Sequence, residues 1–557
     1  MDSPLATDVD VLCHMVEFVD KNQYLFFAPV SKAWRHAWGQ LSTVTKAVTA
    51  STSVSQLLQS FECGVHRRAL LCEEAAKFGR LELLQCARNL GCPFSHWVCT
   101  VAAEEGHLEV IEWAWANGCP MDSDVCAAAA RGGYVRVLRW AVGVGLCFDE
   151  YVCAEAAGRG HLTLLKWARA HGCPWDTVTC SSAARGGHLD ILQWARSKGC
   201  PWNEETGAEG ARGGHLDVLR WAQANGCRFD FWTCTEAARG GHLEILQWAR
   251  AHGLPWTDVA CAAAASQGHL GVLQWARAND CPWRSTTCSQ AAGGGHLHIL
   301  QWAHDNGCSW DSRTCGAAAR EGRLEILQWA RSRGCPWEEN TCSSAAEHGD
   351  LSVLEWARAA GCPWDTYTCA RAAVAGHLDV LQWARANGCP WDERTTTGAA
   401  EGGNLDVLQW ARATGCPWNE KTCSMAARCG KIEVLRWVRE NGCPWNESTC
   451  SEAAASGELD VLMWARGQGC PWDEKTCSEA AAGGYITVLS WARANGCPWN
   501  EETCCDAASG GQLTALQWAR ANGCPWNADV LEYADLNGHS DVVQWAIGNG
   551  CPVDEEE

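Results

Sequence analysis

An all-α, elongated solenoid of about 18 stacked helix pairs is the fold this sequence predicts. Three observations predict it. A cysteine position recurs every 27 residues, from Cys92 through Cys119, Cys173 and Cys200 to Cys551 (551 − 92 = 17 × 27). Each period carries one stretch whose apolar residues fall at helical spacing. Glycine and proline punctuate each period at the same places. Stacked at the usual helix spacing of about 8–10 Å, 17 steps give a contour of roughly 150 Å.

The elements follow in order from the unit around Cys173. "GHLTLLKWARAHG" places Leu162, Leu164, Leu165, Trp167 and Ala168 on one helical face. Gly172 follows the last turn, where a left-handed residue ends a helix. "CPWDT" turns the chain, because Pro174 cannot continue a helix. "TCSSAARGG" is a second, short helix, with Asp176 or Thr179 as candidate caps and Gly186-Gly187 as its end. Its small side chains let neighbouring helices approach closely. Neither helix can bury its apolar face alone, so the units must stack.

The stretch "AARGGHLDILQWARSKGCPW" resembles the ankyrin repeat. Cys180 stands at the Leu of T-P-L-H, Ala183-Ala184 at the A-A pair, and Gly187-His188-Leu189 at G-H-L. Trp194 replaces a core leucine, and Cys200 replaces the alanine after the helix-ending glycine. The likeness runs over residues 65–557. Ankyrin units have about 33 residues, so some six are missing between Asp176 and Cys180, where β-hairpin fingers would project. The resemblance therefore implies an ankyrin-like solenoid with reduced or absent fingers, of a C-P-W variety similar to protist families.

Thirty-one of the 37 cysteines lie at two phases, 16 before the Pro-Trp and 15 seven residues later. Zinc sites favour close pairs such as C-x₂-C, and C-x₆-C is a poor match. A disulfide between Cys173 and Cys180 is allowed by length. Yet Leu146 and Leu254 replace the first cysteine while Cys153 and Cys261 remain. Gly207, Thr396 and Leu531 replace the second while Cys200, Cys389 and Cys524 remain. Obligate partners would disappear together. Core packing is the reading these losses favour, since free cysteine behaves as a small buried hydrophobe. Tryptophan occupies the longer helix in 17 consecutive units and the turn in 13. Because an acidic residue or asparagine follows most turn tryptophans, we read two ladders packed on neighbouring units rather than a base-stacking platform. The recurrent "GH" histidine is replaced by Tyr134, Arg323, Asp350 or Lys431 in other units, which suits a solvent-facing or helix-start capping role.

Residues 1–45 do not fit the period, and 46–64 form a linker or N-terminal cap. "DVLCHMVEFVDKNQYLFFAPVSKAWRHAW" resembles an F-box at Asp10, Leu12, Phe18, Asp20, Leu25, Val30, Ser31, Lys32 and Trp34, though the usual Leu-Pro opening is absent. The resemblance implies that Leu12, Phe18, Leu25, Val30 and Trp34 bind the Skp-type adaptor of a cullin–RING ubiquitin ligase, the repeats selecting its substrate. Two alternatives remain open. The segment can be a helical cap that shields the first repeat, or the chain can be a stand-alone binding protein or host-directed effector.

The totals narrow the function further. The 557 residues carry a formal net charge of −21, which opposes phosphate backbones and anionic membranes. Nucleic acid and membrane are therefore not expected as partners, and other proteins are. No basic, apolar leader and no apolar run of about 18 residues is visible. A cytoplasmic or nuclear monomer with free thiols follows. No G-x-S-x-G, P-loop, H-E-x-x-H or kinase set occurs, so no catalytic residue, metal or cofactor is expected. The unit "NGCRFDFWTC" departs most from consensus: Arg228 replaces the turn proline, and Phe231 and Trp232 stand where polar residues are usual. These three are the expected partner-binding residues, unless the rings merely cover a neighbouring loop.

Overall fold

The structure, a computed structural model, describes residues 69–553 and, apart from them, Val54. The F-box-like segment, with Leu12, Phe18, Leu25, Val30 and Trp34, lies outside the described residues. Within them the chain forms 36 helices and no strand, paired as 18 helical hairpins from Ala69–Lys77 with Leu81–Asn89 to Asp529–Leu536 with Ser540–Gly548. The β-hairpin fingers are absent there, as the short period requires. Two compact bodies divide the described residues. One runs to Ala264 and takes in His269–Pro282; the other holds Ala265–Gly268 and continues from Trp283.

Each hairpin has a first helix (Thr177–Arg185, for example) and a second (Leu189–Ser197). Asp176 caps the first helix, accepting a hydrogen bond from the Val178 N–H at 2.9 Å. Thr179 does not cap; it is fully buried. The first helix stops because Gly187 adopts φ +74°, and its Cβ position is filled by the His215 ring of the following hairpin, 2.4 Å away. A side chain is thus excluded there twice, by backbone conformation and by space. First helices of consecutive hairpins pack most closely, across Cys180, Ala183 and Ala184, all fully buried. The second helix buries Ile191, Leu192 and Ala195 against them.

The histidines cap, but not the helix they begin. His161 Nε2 meets the Arg131 carbonyl oxygen at 3.1 Å, thirty residues back, at the end of the preceding hairpin's first helix. His242, His269 and His539 repeat the contact at 3.1 Å. Asn404 does the same work with its amide, donating to the Ala373 and Val374 carbonyls at 2.9 Å. Orphan carbonyls at a helix end need such donors, which explains why several polar residue types suffice.

The tryptophans form cross-hairpin pairs rather than two continuous columns. Trp175 in the turn meets Trp194 of the next second helix edge-on, ring centres 5.9 Å apart. Trp202 and Trp221 repeat this at 5.8 Å. The cysteine positions are likewise core. All 31 cysteines of the two phases are buried thiols. Their neighbours differ from the C-x₆-C pairing considered from the sequence: Cys173 faces Cys153, sulfur to sulfur at 3.4 Å, and Cys180 faces Cys200. The reason is the antiparallel hairpin, which brings the start of its first helix beside the exit of its second.

Candidate functional site

The start of the first helix is the exposed edge of each hairpin. There the capping aspartates fix the backbone, and the residue just inside the helix points outward. Asp149 accepts from Val152 N–H at 3.3 Å and Asp230 from Trp232 N–H at 2.9 Å. In the first body this position holds Trp97, Tyr151, Val178, Trp232 and Val259, in one register at multiples of 27 residues, with Asp124 and Glu205 between them. Trp97 is 49% exposed, Tyr151 59% and Trp232 44%, and both valines are exposed too. In the second body the same position carries Thr286, Arg313, Asn340, Tyr367, Arg394, Lys421, Ser448, Lys475, Glu502 and Asp529. There the guanidinium of Arg394 lies 4.6 Å from the Tyr367 ring centre. Five of the seven residues in this register are thus aromatic or apolar in the first body, against Tyr367 alone in the second.

Of the residues singled out by sequence, Arg228 is exposed in its turn, Phe231 is half-buried and Trp232 is exposed. The Phe231 and Trp232 rings stand 4.9 Å apart. Phe229 keeps the turn-aromatic place, edge-on to Trp248 at 6.0 Å. It also explains Gly207, whose Cβ would fall 2.4 Å from the Phe229 ring. Tyr151, Val178 and Val259 escaped the sequence reading, though comparing one position across all periods would have revealed them.

Beside this row, charges on the first helices interlock. Arg131 donates two hydrogen bonds to the Glu155 carboxylate, at 2.8 and 3.0 Å, and lies 3.5 Å from Glu104. The Glu155 pairing raises the Arg131 guanidinium above its usual pKa. A groove of about 520 Å³ opens here between Arg131, Tyr151, Arg159, Val178 and Arg185, floored by Ala154, Gly158 and Ser182. Among the described residues no three or more of His, Cys, Asp and Glu converge as metal ligands, and no helix is long and apolar enough to cross a membrane.

No family model matches the chain, and no curated protein matches it either. Among solved structures it is similar to the pentatricopeptide repeat protein PPR10 in complex with an 18-nt psaJ RNA element, at 14% identity and TM-score 0.28, covering 98% of this chain and 95% of that one. PPR10 from maize gives 16% identity and TM-score 0.26, covering 98% of each chain. The human ASB11 ankyrin repeat domain gives 14% identity and TM-score 0.24, covering 28% of this chain and 84% of that one. These correct one expectation. Nucleic acid is not excluded as a partner class, because helical-repeat structures matched along 98% of this chain hold RNA. Net charge is a whole-chain quantity and does not decide what one face binds. Likenesses this remote fix no ligand for this chain.

Proposed function

We propose that the chain is a non-catalytic scaffold that binds protein partners through the exposed starts of its first helices. The row Trp97, Tyr151, Val178, Trp232 and Val259 carries this reading. Large side chains left in water in one register mark interaction surfaces, and Trp and Tyr are the residues that dominate binding energy at interfaces. Arg228 and Phe231 extend the row at its most aromatic unit. The ankyrin likeness of residues 65–557 supports the same class. We further propose that residues 1–45 dock the scaffold on a Skp-type adaptor, making it the substrate-selecting subunit of a cullin–RING ubiquitin ligase in the cytoplasm or nucleus, with 46–64 as the linker.

Affinity purification of the full chain with mass spectrometry tests both parts. Removing residues 1–45 should lose the adaptor and keep the partners of the row. The Phe231→Ala/Trp232→Ala variant should keep the adaptor and lose row partners. Undiminished recovery by that variant removes the row from consideration, and partners released by ribonuclease remove the protein-binding reading. An adaptor that never co-purifies leaves a stand-alone scaffold or effector.

A further inference from the structure

The buried thiols are arranged in pairs. Thirteen times, from Cys72/Cys92 to Cys504/Cys524, a cysteine in the first helix neighbours the cysteine twenty residues on. The distance between sulfurs is 3.4 Å in Cys153/Cys173. Each pair spans the open end of one helical hairpin. Five cysteines of the same two phases face another residue instead: Cys126, Cys234 and Cys551 stand at the places paired with Leu146, Leu254 and Leu531, and Cys227 and Cys416 at those paired with Gly207 and Thr396.

A second feature lies beside several of these sulfurs, the lone Cys416 with Thr395 included. Thr368, Thr476 and Thr503 are fully buried, and their hydroxyls have no hydrogen-bond partner among the described residues. Each lies within reach of a paired sulfur, that of Cys389, Cys497 and Cys524 respectively. An unsatisfied buried hydroxyl is costly, and a thiolate is the acceptor that would satisfy it.

We infer that the Cys(i)/Cys(i+20) pairs are oxidation sites, each closing to a disulfide across the mouth of its hairpin when a peroxide-class oxidant reaches it. The chemistry balances in two steps. One thiolate attacks the peroxide O–O bond, giving a sulfenic acid and releasing one water. The neighbouring sulfur then displaces the sulfenic oxygen as a second water, so two thiols lose two electrons and two protons to one peroxide. In several pairs one sulfur is prepared for the first step. The sulfur–sulfur contact with Cys173 draws the Cys153 thiol below its usual pKa while pushing Cys173 up, and Cys180 and Cys315 are drawn down in the same way beside Cys200 and Cys335, which are pushed up. The lone thiols Cys126, Cys227, Cys234 and Cys416 are pushed up to about 12, burial being the main cause. The product is neutral, so it sits in an apolar pocket without the penalty of a buried charge. Access comes from local opening, which in a stack of small units need involve only one hairpin and its neighbours.

Hydrogen peroxide added to the reduced full chain is the test, with N-ethylmaleimide in denaturant as the quench and peptide mapping as the readout. Cross-links Cys153–Cys173, Cys180–Cys200 and Cys315–Cys335 are expected, with Cys126, Cys234 and Cys416 recovered as alkylated thiols. Links of the Cys173–Cys180 type, absence of links, or equal oxidation of the lone thiols overturns the inference. Thr368→Val keeps the shape and removes the hydroxyl. It should slow the Cys369–Cys389 link about fivefold relative to Cys342–Cys362 in the same molecule. Equal rates overturn the role given to the hydroxyl.

Discussion

The guanidinium of Arg196 lies 4.2 Å from the centre of the Trp202 ring while donating to the Cys200 carbonyl. The far side of the relation is Trp221, edge-on to Trp202. One arginine thus fixes the turn and holds the aromatic that packs on the next hairpin. The arrangement returns at Arg358 over Trp364, 4.0 Å, and Arg412 over Trp418, 3.9 Å. Trp202→Ala should cost about 2 kcal/mol, less than the loss of a fully buried aromatic because the ring is only partly buried. Arg196→Ala should cost about 1–2 kcal/mol, from a cation–π contact and a hydrogen bond. Urea unfolding of the single and double variants should give a coupling of about 0.5–1 kcal/mol. Strict additivity would show that the two side chains act separately.

Two glycines of one hairpin should respond unequally to alanine. Gly199 has φ +82° with nothing near its Cβ position, whereas Gly187 has φ +74° and the His215 ring there. Gly199→Ala should cost about 1 kcal/mol, the strain of a left-handed alanine. Gly187→Ala should cost about twice that, and His215→Ala in the same chain should recover part of it. Thermal unfolding of the three variants checks the order.

Thiol counting checks the buried cysteines. In air-free native protein the reaction with a thiol reagent should be slow for the paired and lone core positions and fast for Cys147, which is exposed. Denaturation without reductant should release all 37 thiols. A count near zero would mean that the resting chain is already oxidised.

Acid and base should act through two different carboxyls, Asp350 and Asp506. Burial tends to raise the Asp350 carboxyl, but hydrogen bonds from Ser352 and Val353 outweigh it and hold the group below its usual value. A depressed carboxyl lends stability above its unfolded pKa of about 4 and loses it as pH falls through the folded value. Asp350→Ala should therefore cost about 1 kcal/mol at pH 7, a lost helix cap, and less at pH 3. Burial and the Glu502 carboxylate raise Asp506. Its contribution is present below the unfolded pKa and disappears as pH rises through the folded one. Asp506→Asn should gain roughly 0.5 kcal/mol at pH 7, discounted for its partial exposure, and nothing near pH 3. A gain that persisted at pH 3 would assign the effect to packing instead.

The hairpins were legible because local rules set them. Asp176, Pro174 and Gly172 act within a few residues, and the 27-residue phase carries that knowledge along the chain. The pairing of Cys153 with Cys173 was not legible, since it depends on two helices folding back antiparallel. The histidine caps escaped for a similar reason: the acceptor of His161 belongs to another hairpin. Nor could exposure at Tyr151 be read from its own unit, because a helix-start position is covered or open according to what its neighbours place beside it. Trp232 was legible as a departure from the repeat consensus, whereas Tyr151, Val178 and Val259 at the same position look ordinary in isolation.

The histidine contact reaches back thirty residues, the longest of the recurring links apart from one amide bond of Asn404 at thirty-one. Every repeated contact therefore closes within a hairpin or on the next one. Excising 27 residues between equivalent positions would present each remaining side chain with a neighbour of the same kind, and duplicating 27 would do likewise. Length can thus drift by whole periods through unequal recombination without a new core having to be invented, while a gain or loss of any other size would throw every downstream cap, ring and thiol out of register.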